Sequence, residues 1–169
     1  LDFTYGALGV QSGTVNLRFA DGALEGDNDT LKLFANASNV TFTSDSVFDA
    51  PGGQMNQTED ALRIENIDLV LRGNSPNAQF DNQVDLSDFA EIEMLTLAGG
   101  ANSEIVVGSS ELAMVDARAT RGGITLNSDI EGDQTMLGGS GDDDLKTGGG
   151  DDTIEAAGGD NVVNAGGGD

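Results

Sequence analysis

The chain has 169 residues, 30 of them acidic and 7 basic, for a formal charge of −23, and it contains neither Cys nor His. Its length suits one domain or a piece of a longer repeat array; so negative a surface disfavours nucleic acid and anionic membrane, and no 18-residue apolar run is present to span a bilayer. Without Cys there are no disulfides or thiolate metal sites, and without His as well there are no zinc H-E-x-x-H sites, Ser–His–Asp triads or Cys–His pairs within the chain.

The first half reads as short strands. Residues 14–19, 30–34, 39–43, 61–64 and 67–71 alternate apolar with polar side chains, the period of a strand with one buried face. Turn-forming residues at 49–54 and 73–77 mark loops. Residues 25–29 read as a polar turn, and no D-x-D-x-D-G loop indicates an EF-hand. The N-x-S/T triplets at Asn28, Asn36, Asn39 and Asn56 are read as coincidental. From about residue 90 a loose repeat emerges. Apolar clusters at Ile92-Met94-Leu95-Leu97, Ile105-Val106-Val107, Leu112-Met114-Val115, Ile124-Leu126 and Met136 recur roughly every nine to twelve residues, with Gly- and Ser-rich turns between them. This spacing predicts one strand per repeat stacked around a narrow aliphatic core, a parallel β-helix.

The tail tightens to a period of nine. Units begin at Gly138, Thr147 and Ala156, with a fourth cut off at Asp169. Glycine falls at the fourth place (Gly141, Gly150, Gly159, Gly168), an aliphatic residue at the eighth (Leu145, Ile154, Val163), and Asp143, Asp152 and Asn161 at the sixth. Residues 129–137 form a degenerate unit with Gly132, Gln134 and Met136 at those places. Six loop places followed by a three-residue strand are expected, with units n and n+2 stacked on the same side. Asp143 should then stack on Asn161, and Asp152 on Gln134. Acidic side chains in register about 4.8 Å apart repel by about 0.8 kcal/mol per pair even in bulk water. A hard cation reverses that sign, because calcium takes six to eight oxygen ligands in flexible geometry. Residues 138–169 carry seven Asp, one Glu, one Lys and eleven Gly, too polar a segment to order itself by apolar burial. Metal binding is expected to supply the missing folding free energy. A disordered acidic linker is the competing reading, but a linker has no reason to return an aliphatic residue every ninth place.

This G-G-x-G-x-D-x-U-x pattern resembles the RTX family of calcium-binding nonapeptide repeats. A second resemblance lies in residues 84–100, in residues 112–117 and in Gly122-Gly123-Ile124-Thr125-Leu126, which look like the C-terminal β-solenoids of bacterial surface-layer proteins. It covers about residues 84–169 well and residues 1–83 only in style. Together these resemblances imply an all-β fold: a right-handed parallel β-helix or β-roll, a solenoid, with a preceding β-rich region. The expected divisions are 1–89, either early rungs or a small β-domain; 90–137, β-helix rungs; and 138–169, the calcium-binding roll. The implied cofactor is Ca2+. Asp143 and Asp152 are the best ligands, and Asn161 and Gln134 offer uncharged amide oxygens where the family has Asp. The family further implies backbone carbonyls of Gly138, Ser140, Thr147, Gly149, Ala156 and Gly158 in the shells. Asp142, Asp151 and Asp160, at place five, are read as facing solvent.

The implied role is structural: a secreted, extracellular protein at a bacterial cell surface, exported by type I secretion and assembling with copies of itself, with cell-surface polysaccharide as a further candidate partner. Both ends read as cuts, so a larger parent protein is expected. Carboxylate pairs of the kind a glycosidase needs are plentiful, but with seven Phe, one Tyr and no Trp there is little aromatic platform for sugar, so no enzyme is expected. The alternative is the C-terminal RTX section of a secreted enzyme, toxin or adhesin.

Overall fold

The computed structural model describes residues 5–6, 12–18, 29–36, 39–45, 64–73 and 79–168. Among them there is no helix, and fourteen strands divide between two sheets. One sheet takes β1 (Tyr5–Gly6), β3 (Thr30–Asn36), β5 (Asn66–Arg72), β7 (Met94–Gly99), β9 (Met114–Thr120), β11 (Thr135–Leu137) and β13 (Thr153–Glu155) in that order. The other takes β2 (Ser12–Arg18), β4 (Asn39–Asp45), β6 (Asn82–Leu86), β8 (Ser103–Val107), β10 (Ile124–Asn127), β12 (Asp144–Lys146) and β14 (Val162–Asn164). Each strand therefore pairs with the next but one, and every ladder is parallel. The all-β reading holds, with two parallel sheets sharing one core.

The alternation read from the sequence is the alternation of burial. Strands β3 and β5 each bury three side chains on their inner face, Leu31, Leu33 and Ala35 in one and Ile67, Leu69 and Leu71 in the other. Parallel pairing in register stacks them into columns: Leu31, Ile67, Leu95, Val115, Met136 and Ile154 in one sheet, Val40, Val84, Ile105, Leu126, Leu145 and Val163 in the other. Ile92 and Leu112, grouped with strands on apolar spacing, instead precede β7 and β9 and reach into the core from the loops. β6 extends the predicted set, and residues 61–63 lie outside the described residues, as do 25–28, 49–54, 74–77 and Asn56.

The distance along the chain from one strand to its partner is longest between β4 and β6, where Val40 pairs with Val84 44 positions later, and is shortest in the tail. Leu33 pairs with Leu69, 36 positions later; Leu69 with Leu97, 28 later; Ile105 with Leu126, 21 later; Met136 with Ile154 and Leu145 with Val163, 18 later. The strands shorten from seven residues to three: β11 and β12 each bury one apolar side chain, Met136 and Leu145, while Ile154 of β13 is half-buried and Val163 of β14 is exposed. Strands β11 to β14 occupy places seven to nine of the nonapeptide units.

Glycine is needed where adjacent layers nearly touch. A Cβ at Gly123 would lie 2.2 Å from the Asp142 carbonyl oxygen. At place four, Gly150, Gly159 and Gly168 hold φ of 111°, 92° and 139°, a region costly for residues with a Cβ. Ala157 adopts φ 57° without that freedom.

Because Leu145 is buried while Val163, the next residue in its column, is 48% exposed, the two should respond differently to truncation. Leu145→Ala is expected to cost about 2–5 kcal/mol. Val163→Ala should stay within about 0.5 kcal/mol of the parent chain. Urea unfolding followed by far-ultraviolet circular dichroism measures both.

Candidate metal site

The nonapeptide loops stack in two pairs, one along each edge of the sheets. On the first edge, residues 138–143 carry residues 156–161. Gly158 N–H donates to the Gly139 carbonyl at 3.1 Å, and Asp143 N–H donates to Asn161 Oδ1 at 2.8 Å. On the second, residues 128–134 carry residues 147–152. Gly149 N–H donates to the Ile130 carbonyl at 2.8 Å, and Gln134 N–H donates to Asp152 Oδ1 at 2.8 Å. The structure thus brings Asp143 to Asn161 and Gln134 to Asp152, each pair 18 positions apart. In both pairs the link is an N–H of one layer held by the side-chain oxygen of the next.

On the first edge Asp143 is buried and doubly engaged: Oδ1 accepts from Ile124 N–H at 2.8 Å and Oδ2 from Gly139 N–H at 2.9 Å. Burial pushes its carboxyl above the ordinary value, with the neighbouring Asp142 charge adding to the rise, while the two N–H donors oppose it. The raised value means that the ionised carboxylate weakens folding as pH climbs past the ordinary carboxylate range, a penalty a bound cation would remove. Gly138 is required beside it: a Cβ there would lie 2.6 Å from Asp143 Oδ2 and 2.8 Å from the Ala156 carbonyl oxygen. The loops therefore pack here without room for a side chain at position 138. Ser140 lies on the outside, bonded through N–H and hydroxyl to the Thr120 carbonyl.

On the second edge four side-chain oxygens have no partners. Asp152 Oδ2, Gln134 Oε1, Thr147 Oγ1 and Ser128 Oγ are all buried without a hydrogen bond, four of the five such atoms among the described residues. Thr147, Gln134 and Ser128 are 0%, 3% and 6% exposed. Leaving a buried polar atom unsatisfied costs about 1–3 kcal/mol, so four in two stacked loops call for an electropositive partner. Among the described residues no three carboxylates gather around one point. The donors on offer are a single carboxylate, an amide oxygen, hydroxyls and the glycine-rich backbone of Thr147 to Gly150, all hard oxygens of the kind calcium takes. Ser128 was not expected as a ligand. The signal for it was its place immediately before the degenerate unit, aligned with Thr147 one layer on, since Ser128 N–H donates to the Lys146 carbonyl as Thr147 N–H donates to that of Asn164.

The place-five acids do more than face solvent. Asp133 Oδ1 accepts from Asp151 N–H and Asp142 Oδ1 from Asp160 N–H, both at 2.8 Å, so exposed carboxylates also tie layer to layer. Elsewhere on the surface, Arg118 pairs with Asp116 at 2.6 Å and holds that carboxyl below its ordinary value.

No family model, curated protein or solved structure matches this chain.

Replacing Asp143 by Asn keeps an oxygen for Ile124 N–H but turns an amide N–H toward Gly139 N–H. Asp143→Asn should therefore cost about 1–3 kcal/mol. Thermal melts report the loss, and faster exchange of the Gly139 amide locates it.

Proposed function

We propose that this chain is a structural, calcium-stiffened solenoid of the RTX type, a right-handed β-roll in a bacterial surface layer or filament outside the cell. The observation that carries this reading is the second edge, where four buried oxygens without partners sit in two stacked glycine-rich loops. Calcium there would be held by Asp152, Gln134 and the hydroxyls and carbonyls around Thr147, Gly149 and Ser128. On the first edge both Asp143 oxygens already accept from N–H groups, so the calcium reading rests on the second edge. Bound calcium contributes charge neutralisation and oxygen coordination, which the chain needs because its last layers have little aliphatic core. The formal charge of −23 supports the same reading, since self-repulsion opposes the compact state until cations bind. The solenoid form is supported by two parallel sheets built from alternate strands, with partners 18 residues apart in the tail.

The role is mechanical and associative rather than catalytic. Outside the cell, where calcium is abundant, the ion would order the tail after export and let copies of the chain pack side by side. Cell-surface polysaccharide is a second candidate partner through the polar outer faces of the sheets.

The test is calcium titration of the purified chain followed by circular dichroism and electron microscopy. Calcium should raise the β signal and produce ordered arrays; a chelator should dissolve the arrays and open the edge formed by residues 128–134 and 147–152 before the layers above it. A spectrum and an assembly state that ignore both calcium and chelator would overturn the reading. Calcium-dependent folding with monomers throughout would favour the C-terminal section of a secreted enzyme, toxin or adhesin.

A further inference from the structure

Two amides occupy place six, Gln134 and Asn161, and they are turned in opposite senses. Gln134 sends its Nε2 away to the Leu112 carbonyl at 2.8 Å and leaves Oε1 without a partner. Asn161 does the reverse. Its Oδ1 is fixed by the Asp143 N–H, which can only donate, so its Nδ2 must face the loop. There it lies 3.0 Å from the Gly158 carbonyl oxygen, 3.3 Å from that of Ala156 and 3.4 Å from that of Gly159. These are the carbonyls of a nonapeptide loop, and an amide NH2 supplies two protons to them. Calcium would draw such oxygens to about 2.3–2.6 Å, tighter than the ring observed here. Both oxygens of the partner Asp143 are likewise already engaged by N–H groups. On this edge the place-six side chains leave no oxygen orphaned among the described residues; on the other, Asp152 and Gln134 leave one each.

We propose that the Asn161 amide is a built-in replacement for a cation, so that the edge formed by residues 138–143 and 156–161 closes without metal while the edge formed by residues 128–134 and 147–152 requires it. The metal-dependent half of this contrast rests on the calcium reading above; the amide clamp does not. Asp at position 161 would keep the oxygen that accepts from Asp143 N–H but set a second carboxylate oxygen against the carbonyls. Only a cation reverses that repulsion, so the exchange of NH2 for oxygen converts a self-sufficient edge into a metal-dependent one. The chain would then have a graded response to calcium: one edge is held at any concentration, and the other closes when the ion arrives.

Hydrogen exchange on the whole chain, read amide by amide in calcium and in chelator, tests this with the parent and two variants. In the parent, removing calcium should speed exchange at Gly149 and Gln134 by about tenfold or more and leave Asp143 and Gly158 within about threefold. In chelator, Asn161→Ala should speed exchange at Asp143 and Gly158 by about tenfold relative to the parent. Asn161→Asp should do the same in chelator, recover on adding calcium, and bind one more ion than the parent by calorimetry. The proposal is overturned if chelation opens both edges of the parent alike, or if Asn161→Ala leaves Asp143 and Gly158 unchanged in chelator. If calcium alters neither edge of the parent, the calcium reading fails and the contrast between edges goes with it. The Asn161→Ala arm, run without metal, then decides the clamp by itself.

Discussion

The constraint on which the tail depends is the closeness of its layers. Parallel strands in register bring each loop directly over the one 18 residues before it, so every backbone N–H and every side-chain oxygen meets its own counterpart. The structure uses that coincidence as a clamp: the N–H at place six donates to the side-chain oxygen at place six of the next layer, and the N–H at place five donates to the Asp side chain of the layer before. The same geometry places carboxylates one above another. Hydrogen bonds and repulsion are thus two results of one spacing, and the balance between them depends on what neutralises the oxygens.

The balance shifts along the chain. Where strands are five to seven residues long, two or three inward side chains per strand hold the sheets together and the polar closures are ordinary. Ser109, for example, donates to the Ala90 and Ile92 carbonyls, and Asn82 to the Arg72 carbonyl and to Ser103. As the layers contract to 18 residues the aliphatic contribution falls to one residue per strand, and glycine allows the loops to approach until no Cβ would fit. Loss of core is accompanied by gain of oxygen. Apolar burial thus gives way to closely packed oxygens, where charge weighs more.

Within that oxygen-rich region the two edges differ: among the described residues the place-six side chains leave no oxygen orphaned on one and two on the other. A body whose tail were wholly dependent on ions would disassemble completely when they fell away. One edge closed by its own amide would keep the strands aligned and let the other edge respond. Such a division suits a protein that must stay ordered while its contacts with neighbours are made and released.

Much of this was legible in the sequence because the physics was local and periodic. Alternation over residues 30–34, 39–43 and 67–71 marked strands with one inner face, and the nine-residue period located β11 to β14 and the pairing of Asp143 with Asn161 and Gln134 with Asp152. Ile92 and Leu112 were misplaced because apolar spacing cannot tell a strand residue from a loop residue that turns inward. What the sequence alone could not supply was orientation. Asn161 and Gln134 occupy the same place in the same repeat, yet one turns its amide nitrogen into the loop and the other turns it away. Ser128, outside the units, aligns with Thr147 on the second edge and leaves its hydroxyl without a partner. Those outcomes follow from which backbone groups the neighbouring layers present, and that is set only when the sheets have formed.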